Sequence, residues 1–212
     1  GAACFGEVKG LFGGAASRVV IPALRALRIS NELGERGTLL ALAATAYHAI
    51  VAPGSTPGTT SPELIIGHGV LGRMIARLAV IAGGKPVVWE TNTDRRTGAM
   101  GYDVVDPKED LRSNYRSICD VSGDPQILDS LISRGAPGCE IVLAGFYDQP
   151  LSFSFAPAFL REARLRVAAQ WKPHDLIAVK DLAESGKLSL DGLITHRSNP
   201  TYANEEIGRA HV

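Results

Sequence analysis

The residues best suited to chemistry form one run, Leu64-Ile65-Ile66-Gly67-His68-Gly69-Val70-Leu71-Gly72-Arg73. An apolar segment of strand character leads into a G-x-G-x-x-G turn and then a helical pattern. Such a turn holds a pyrophosphate. Gly67 permits the tight turn, Gly69 lets the backbone approach the anion, and Gly72 lets the helix pack close to the strand with its N-terminus facing the negative charge. A second strand ends in Glu90, about 20 residues on, where a carboxylate reaches the hydroxyls of an adenosine ribose. A glycine-rich structural turn is the plainer alternative, but the strand before the motif and the acid after it favour a dinucleotide site.

The elements that must position this run follow the same logic. Leu39, Leu40, Leu42, Ala43, Ala46, Tyr47 and Ile50 predict a helix buried on most of its surface, ended by Pro53-Gly54. Val70, Leu71, Met74, Ile75, Leu78 and Ile81 recur at helical spacing, and Gly83-Gly84 stops that helix. Short strands are predicted at 86–89, 102–105, 117–121 and 140–144, alternating with turns or helices as in a parallel sheet with crossovers. Asp124-Pro125 reads as a cap followed by proline at the first helical position, opening a helix that carries Ile127, Leu128, Leu131 and Ile132. Extended pieces are expected at 18–21, 26–29, 151–155, 165–169 and 193–196, and a helix at 176–184.

Composition excludes several function classes. The 212 residues carry 22 Lys plus Arg against 22 Asp plus Glu, so no overall field favours nucleic acid. Cys4, Cys119 and Cys139 are odd in number and lack C-x-x-C spacing, which argues against a disulfide framework or a zinc ribbon. The longest nearly uncharged stretch, 38–56, is broken by His48, Pro53 and Gly54 and is too short for an integral membrane segment. The chain begins at Gly1 in mid-pattern and reads as truncated, while residues 207–212 read as a non-native tail.

The order Thr45-Ala46-Tyr47, the glycine turn, then Glu90 with Arg95, resembles the medium-chain dehydrogenase/reductase superfamily. The resemblance continues through Asp120-Val121-Ser122-Gly123, Val142-Leu143-Ala144-Gly145-Phe146 and Leu193-Ile194-Thr195-His196. More particular runs are similar to the branch of that superfamily that acts on hydroxyethyl bacteriochlorophyllides. They are Gly1-Ala2-Ala3-Cys4-Phe5-Gly6, Leu11-Phe12-Gly13-Gly14-Ala15-Ala16-Ser17, Ile118-Cys119-Asp120, Gly145-Phe146-Tyr147 and Phe155-Ala156-Pro157-Ala158-Phe159.

The resemblance implies an α/β chain: a Rossmann doubly wound parallel sheet plus part of a GroES-like β substrate domain. The expected boundaries are 1–44 and 171–206 for the substrate domain and 45–170 for the Rossmann domain. It implies NAD as cofactor, with Gly67, Gly69, Val70, Leu71 and Gly72 at the pyrophosphate and nicotinamide side and Glu90 and Arg95 on the adenosine ribose. Val121, Ser122, Gly145 and Phe146 would border the nicotinamide end, with Thr45 behind the ring. Thr45, Tyr47 and His48 are the catalytic candidates, and Tyr147 is a further weak one. For His48 a structural role is the stronger reading, and Thr45 would equally bond back within its own helix. His68 would sit beside the phosphate.

Phe146, Tyr147, Phe153, Phe155 and Phe159 would wall a flat bacteriochlorophyllide substrate, although alternating aromatics in a strand more often form core. Zinc-using members of the superfamily carry a cysteine four residues before the threonine matched by Thr45. Here that position is Ala41, so no catalytic metal is expected. A homodimer paired through 164–169 is implied, in a cytoplasmic setting peripheral to a photosynthetic membrane. Two readings from other classes share much of this pattern: an NADPH-dependent quinone or enone reductase, for which Arg95-Arg96 would read a 2′-phosphate, and a non-catalytic nucleotide-binding subunit.

Overall fold

The computed structural model describes the backbone of residues 4–5 and 8–9, residue 18, and residues 20–51, 61–168 and 170–199. Most of the 1–17 motifs, the 52–60 connector and the 201–212 tail therefore lie outside the described residues. Strands β1 (Cys4–Phe5) and β2 (Val8–Lys9) pair antiparallel. They are the two strands seen here from the part of the chain expected to be GroES-like.

The body of the protein is a six-stranded parallel sheet. Its strands are β3 (Leu64–Ile66), β4 (Val87–Trp89), β5 (Asp103–Val105), β6 (Tyr115–Asp120), β7 (Gly135–Leu143) and β8 (Arg164–Val167), in the spatial order β5-β4-β3-β6-β7-β8. This is the doubly wound order, and the direction of winding reverses between β3 and β6, which opens a crevice at the carboxyl ends of those strands. A parallel sheet needs cover on both faces. Helices α1 (Leu40–Ile50), α2 (Val70–Ile81) and α5 (Pro173–Glu184) cover one face, and α3 (Leu128–Arg134) and α4 (Phe155–Leu160) the other.

The strand residues divide between those faces with period two. Ile65, Val88, Cys119 and Val142 join the α1/α2/α5 core, whereas Leu64, Ile66, Trp89, Ile118, Ile141 and Leu143 join the α3/α4 core. Ala43, Ala44, Ala46 and Ala49 are fully buried on α1, where their small side chains let it approach its neighbours closely. The first core also contains Leu33, Val179, Ala183, Leu188, Leu190 and Leu193, so packing is continuous across residues 45 and 170.

Several local expectations change. Residues 151–154 have no regular structure, and 155–160 form α4 rather than a strand continuation, with Phe155, Phe159 and Leu160 exposed. The aromatic run is thus neither alternating core nor a strand. Among the described residues, 193–196 and the described part of 18–21 join no ladder. Asp124 accepts from the Gln126 amide in a local turn, and α3 begins only at Leu128. Residues 31–39 wind into 3₁₀ turns, with the Ser30 hydroxyl accepting from the Glu32 amide, so the buried helix expected to include Leu39 begins at Leu40.

Candidate cofactor crevice

The glycine turn lies at the reversal point. Gly67 takes φ +98°, a conformation open to glycine, and its amide donates to Trp89 O at 2.8 Å. A Cβ on Gly72 would fall 1.9 Å from Gly67 O and 3.3 Å from the Val121 side chain, so only glycine lets α2 come this close. A Cβ on Gly69 would meet nothing within 4 Å, which leaves the approach to the turn open. No side chain caps α2, and its first main-chain bond runs from Arg73 N to Gly69 O. The amides of Val70, Leu71 and Gly72 precede that bond and supply the donors and positive helix end that an anion requires. The cradle therefore fits a dinucleotide pyrophosphate.

Glu90 closes the β4 side of the crevice. It is 8% exposed, and its carboxylate accepts from the His68 amide at 3.0 Å and the Asn92 amide at 2.8 Å. Each carboxylate oxygen has a second acceptor position, so these two bonds leave capacity for ribose hydroxyls. The Arg95 side chain is exposed, while its carbonyl accepts from Arg73 and meets His68 Nδ1. Arg96 is occupied within the protein: its guanidinium donates to Glu90 O and Thr91 O and pairs with Asp106.

The His68 ring is engaged within the protein: it is buried, with Nε2 2.9 Å from the Tyr102 hydroxyl. Burial holds its pKa below the ordinary histidine value, the neighbouring Arg73 charge adding to the effect against the Arg95 carbonyl contact. It braces the turn from beneath.

On the other side of the reversal, the predicted residues converge. Ser122 Cα lies 3.4 Å from where a Gly67 Cβ would be, and the Phe146 carbonyl and Gly145 lie against Gly123. Val70, Leu71 and Val121 are half-buried, packed on the first core. Phe146 is fully exposed.

Thr45, Tyr47 and His48 stand apart from Tyr147. Thr45 Oγ1 donates to Ala41 O at 3.2 Å, back along its own helix. His48 Nδ1 lies 2.9 Å from the buried Asp175 carboxylate, which also accepts the Lys172 amide at the start of α5. Tyr47 packs on the α1/α2/α5 side, and burial together with Asp175 raises its pKa. Tyr147 instead packs against the α3/α4 core and bonds to Asp120. A cavity of about 550 Å³ between α1, α2 and α5 is lined by Tyr47, Ile50, Leu78 and Leu182. Val51 and Ser61 also line it. Among the described residues, no group of three or more His, Cys, Asp or Glu is placed to hold a metal ion.

Two contributors escaped sequence reasoning. Arg73 spans the turn, donating to His68 O and Arg95 O. Asp120, completely buried, joins the turns after β6 and β7. The available signal was an acid ending an otherwise buried strand, where an uncompensated charge would not be tolerated.

No protein-family model matches the chain. Among the curated relatives that match are two called 2-desacetyl-2-hydroxyethyl bacteriochlorophyllide A dehydrogenase. The one from Cereibacter sphaeroides is 53% identical over 99% of this chain and 67% of its own length. The one from Rhodobacter capsulatus is 54% identical over 97% and 65%. The chain thus spans about two thirds of the length of these relatives. Among solved structures, galactitol-1-phosphate dehydrogenase from Escherichia coli superposes with a TM-score of 0.77 at 20% identity, covering 96% of this chain and 66% of that one. An alcohol dehydrogenase from E. coli CFT073 complexed with NADH gives 0.74 at 17% identity, covering 91% and 60%. These structures share the fold. The identity to the curated pair, carried along nearly the whole chain, reaches further: the chain belongs to the family of the 2-desacetyl-2-hydroxyethyl bacteriochlorophyllide A dehydrogenases, within the medium-chain dehydrogenase/reductase superfamily.

Proposed function

We propose that the full-length protein containing this chain oxidises the 3-(1-hydroxyethyl) group of a bacteriochlorophyllide to a 3-acetyl group, with NAD as cofactor. The observation that carries this reading is the crevice: a pyrophosphate cradle and an acid on β4 meet at the sheet reversal of a chain more than half identical to dehydrogenases named for that substrate. When bound, NAD supplies the hydride acceptor. The α2 amides hold the pyrophosphate, Glu90 holds the adenosine ribose with Arg95 at its rim, and Val121, Ser122, Gly145 and Phe146 border the nicotinamide end. Exposed Phe146, at the mouth of the crevice, suits the edge of a flat apolar macrocycle.

We read Thr45 and His48 as structural members of α1, since their polar groups are engaged within the protein. Arg96 is similarly engaged, which counts against an NADPH reductase reading a 2′-phosphate through it. The division into 1–44, 45–170 and 171–206 belongs to this proposal, with the outer segments completing a substrate lobe. So does a homodimer. β8 is one edge of the sheet, Leu165 and Val167 on it are exposed, and Phe155, Phe159 and Leu160 are exposed on α4. Arg166 is turned inward to Ala49 O, which leaves exposed Arg164 as the arginine that would guard that edge.

The test is incubation of the full-length protein with 3-(1-hydroxyethyl)bacteriochlorophyllide, NAD and a zinc chelator. NADH absorption and the red-shifted acetyl product are both expected. Absence of turnover, with ready quinone reduction by NADPH, would replace this reading with the reductase; activity that vanishes only with chelator would overturn the zinc-free site.

A further inference from the structure

One buried carboxylate joins the two turns that border the far half of the crevice. Asp120 is the last residue of β6, opposite Ile66 on one side and Leu143 on the other, and is 0% exposed. Its Oδ1 accepts from both the Ser122 amide, at 3.0 Å, and the Ser122 hydroxyl, at 2.7 Å. Its Oδ2 accepts from the Tyr147 hydroxyl at 2.6 Å. Ser122 abuts the glycine turn at Gly67, and the Tyr147 ring lies over Gly145 at the close range a Cβ would barely clear. The turn after β6 and the turn after β7 are thus held to each other by one buried carboxyl group, at a point between Gly67 and Phe146.

We propose that Asp120 is a positioning residue of the cofactor site: with Ser122 and Tyr147 as its donors, it fixes the spacing of the 121–124 and 144–147 turns and so the nicotinamide half of the crevice. The inference rests on the NAD reading above. It assigns no proton transfer to Asp120, which reaches the cofactor only through the turns it holds. Removing any one donor or the acceptor leaves a buried polar group without its partner.

The electrostatics give the role a signature. Burial raises the Asp120 pKa above the ordinary carboxylate value, the bonds from Tyr147 and Ser122 pull it down, and Asp124 in the same turn pushes it up again. Cys119, next to it on β6, and Tyr147, from the β7 turn, are the other ionisable groups that interact with it. Both have raised pKa values, Cys119 at about 12, so both stay neutral through the working range. Protonation removes the charge that strengthens the bonds from Ser122 and Tyr147, so the clamp weakens as pH falls through the Asp120 pKa, even though burial itself favours the neutral form. Losing the Tyr147 donor would raise that pKa and move the weakening to higher pH.

The experiment titrates NAD and ADP-ribose, which lacks the nicotinamide, into full-length wild type, Asp120→Asn and Tyr147→Phe between acid and alkaline pH, with thermal melts alongside. Both variants should bind NAD about tenfold or more weakly, while ADP-ribose changes by about twofold or less. The acid loss of NAD affinity should move to higher pH in Tyr147→Phe and disappear in Asp120→Asn. Equal weakening of both ligands, or an acid limb unmoved in Tyr147→Phe, overturns the positioning role. Wild type that binds neither ligand overturns the NAD reading itself, and this inference with it. If Asp120→Asn does not fold, Tyr147→Phe, altered at a partly exposed side chain, decides alone.

Discussion

The rim of the crevice and the α4–β8 edge are built in opposite ways. At the rim, nearly every polar group is engaged by the chain itself: Glu90 by two amides, His68 by Tyr102, Arg96 by Asp106 and two carbonyls, Asp120 by Ser122 and Tyr147. At the edge the surface is apolar and exposed, from Phe155 and Phe159, whose rings lie 5.6 Å apart, to Leu165 and Val167. A small charged ligand is bound well by groups already held in place, because little ordering remains to oppose binding. A macromolecular surface gains instead from apolar area left open. The rim therefore suits the proposed nucleotide and the edge suits the proposed dimer.

Three changes would break or sharpen that contrast. The largest effect is expected at Gly72→Ala, where the added methyl meets a main-chain oxygen that cannot rotate away. Either α2 or the turn must shift, costing about 1–3 kcal/mol or more and abolishing NAD binding. Ordinary NAD affinity with an unchanged melting temperature would show that the cradle is looser than its geometry requires.

Next is Glu90→Gln. Like charges about 4 Å apart oppose each other by on the order of 4 kcal/mol at an effective dielectric near 20, a ceiling for the bias against a 2′-phosphate. Removing the charge should narrow the preference for NAD over NADP by one to several of the tenfold steps that each take about 1.4 kcal/mol. The amides of His68 and Asn92 would lose a charged acceptor, so some NAD affinity should fall as well. Competition binding of the two nucleotides measures both. Wild type that takes NADP as readily as NAD would remove Glu90 from the ribose.

The smallest effect on the single chain is expected at Leu165→Arg. This side chain is 39% exposed, so folding stability should move by only about 0.5 kcal/mol or less. The proposed dimer should nonetheless dissociate, since the change sets a charge against its own copy across a two-fold axis. Sedimentation of wild type and variant at micromolar concentration decides it, and a wild-type monomer would leave the apolar edge for another partner.

Much of the fold was legible from local pattern. The strand-turn-helix around Gly67, helix α2 and the short apolar strands depend on side-chain period and on glycine at positions where nothing larger fits, and both are written in neighbouring residues. The convergence of Val121, Ser122, Gly145 and Phe146 on the glycine turn was foreseen only through family resemblance, because those residues come together through strand order. The identity of Glu90 was readable, but its two amide partners were not. Phe155 to Phe159 was misread because an aromatic run has no period that separates a strand from a short helix, and α4 is settled by what it packs against.

The amino-acid sequence alone determined which groups were available to this protein: a glycine turn between an apolar strand and a helix, an acid ending the next strand, and a balance of charge. Tertiary structure alone decided which side chains are free to act. His68 was turned under the turn, His48 was tied to Asp175 across α1 and α5, and Asp120 was closed between two turns distant in the chain. The physical reason is burial. Whether a polar group faces solvent, a ligand or a partner within the protein depends on which elements cover it, and those elements are brought together by packing across the sheet rather than by their neighbours in sequence.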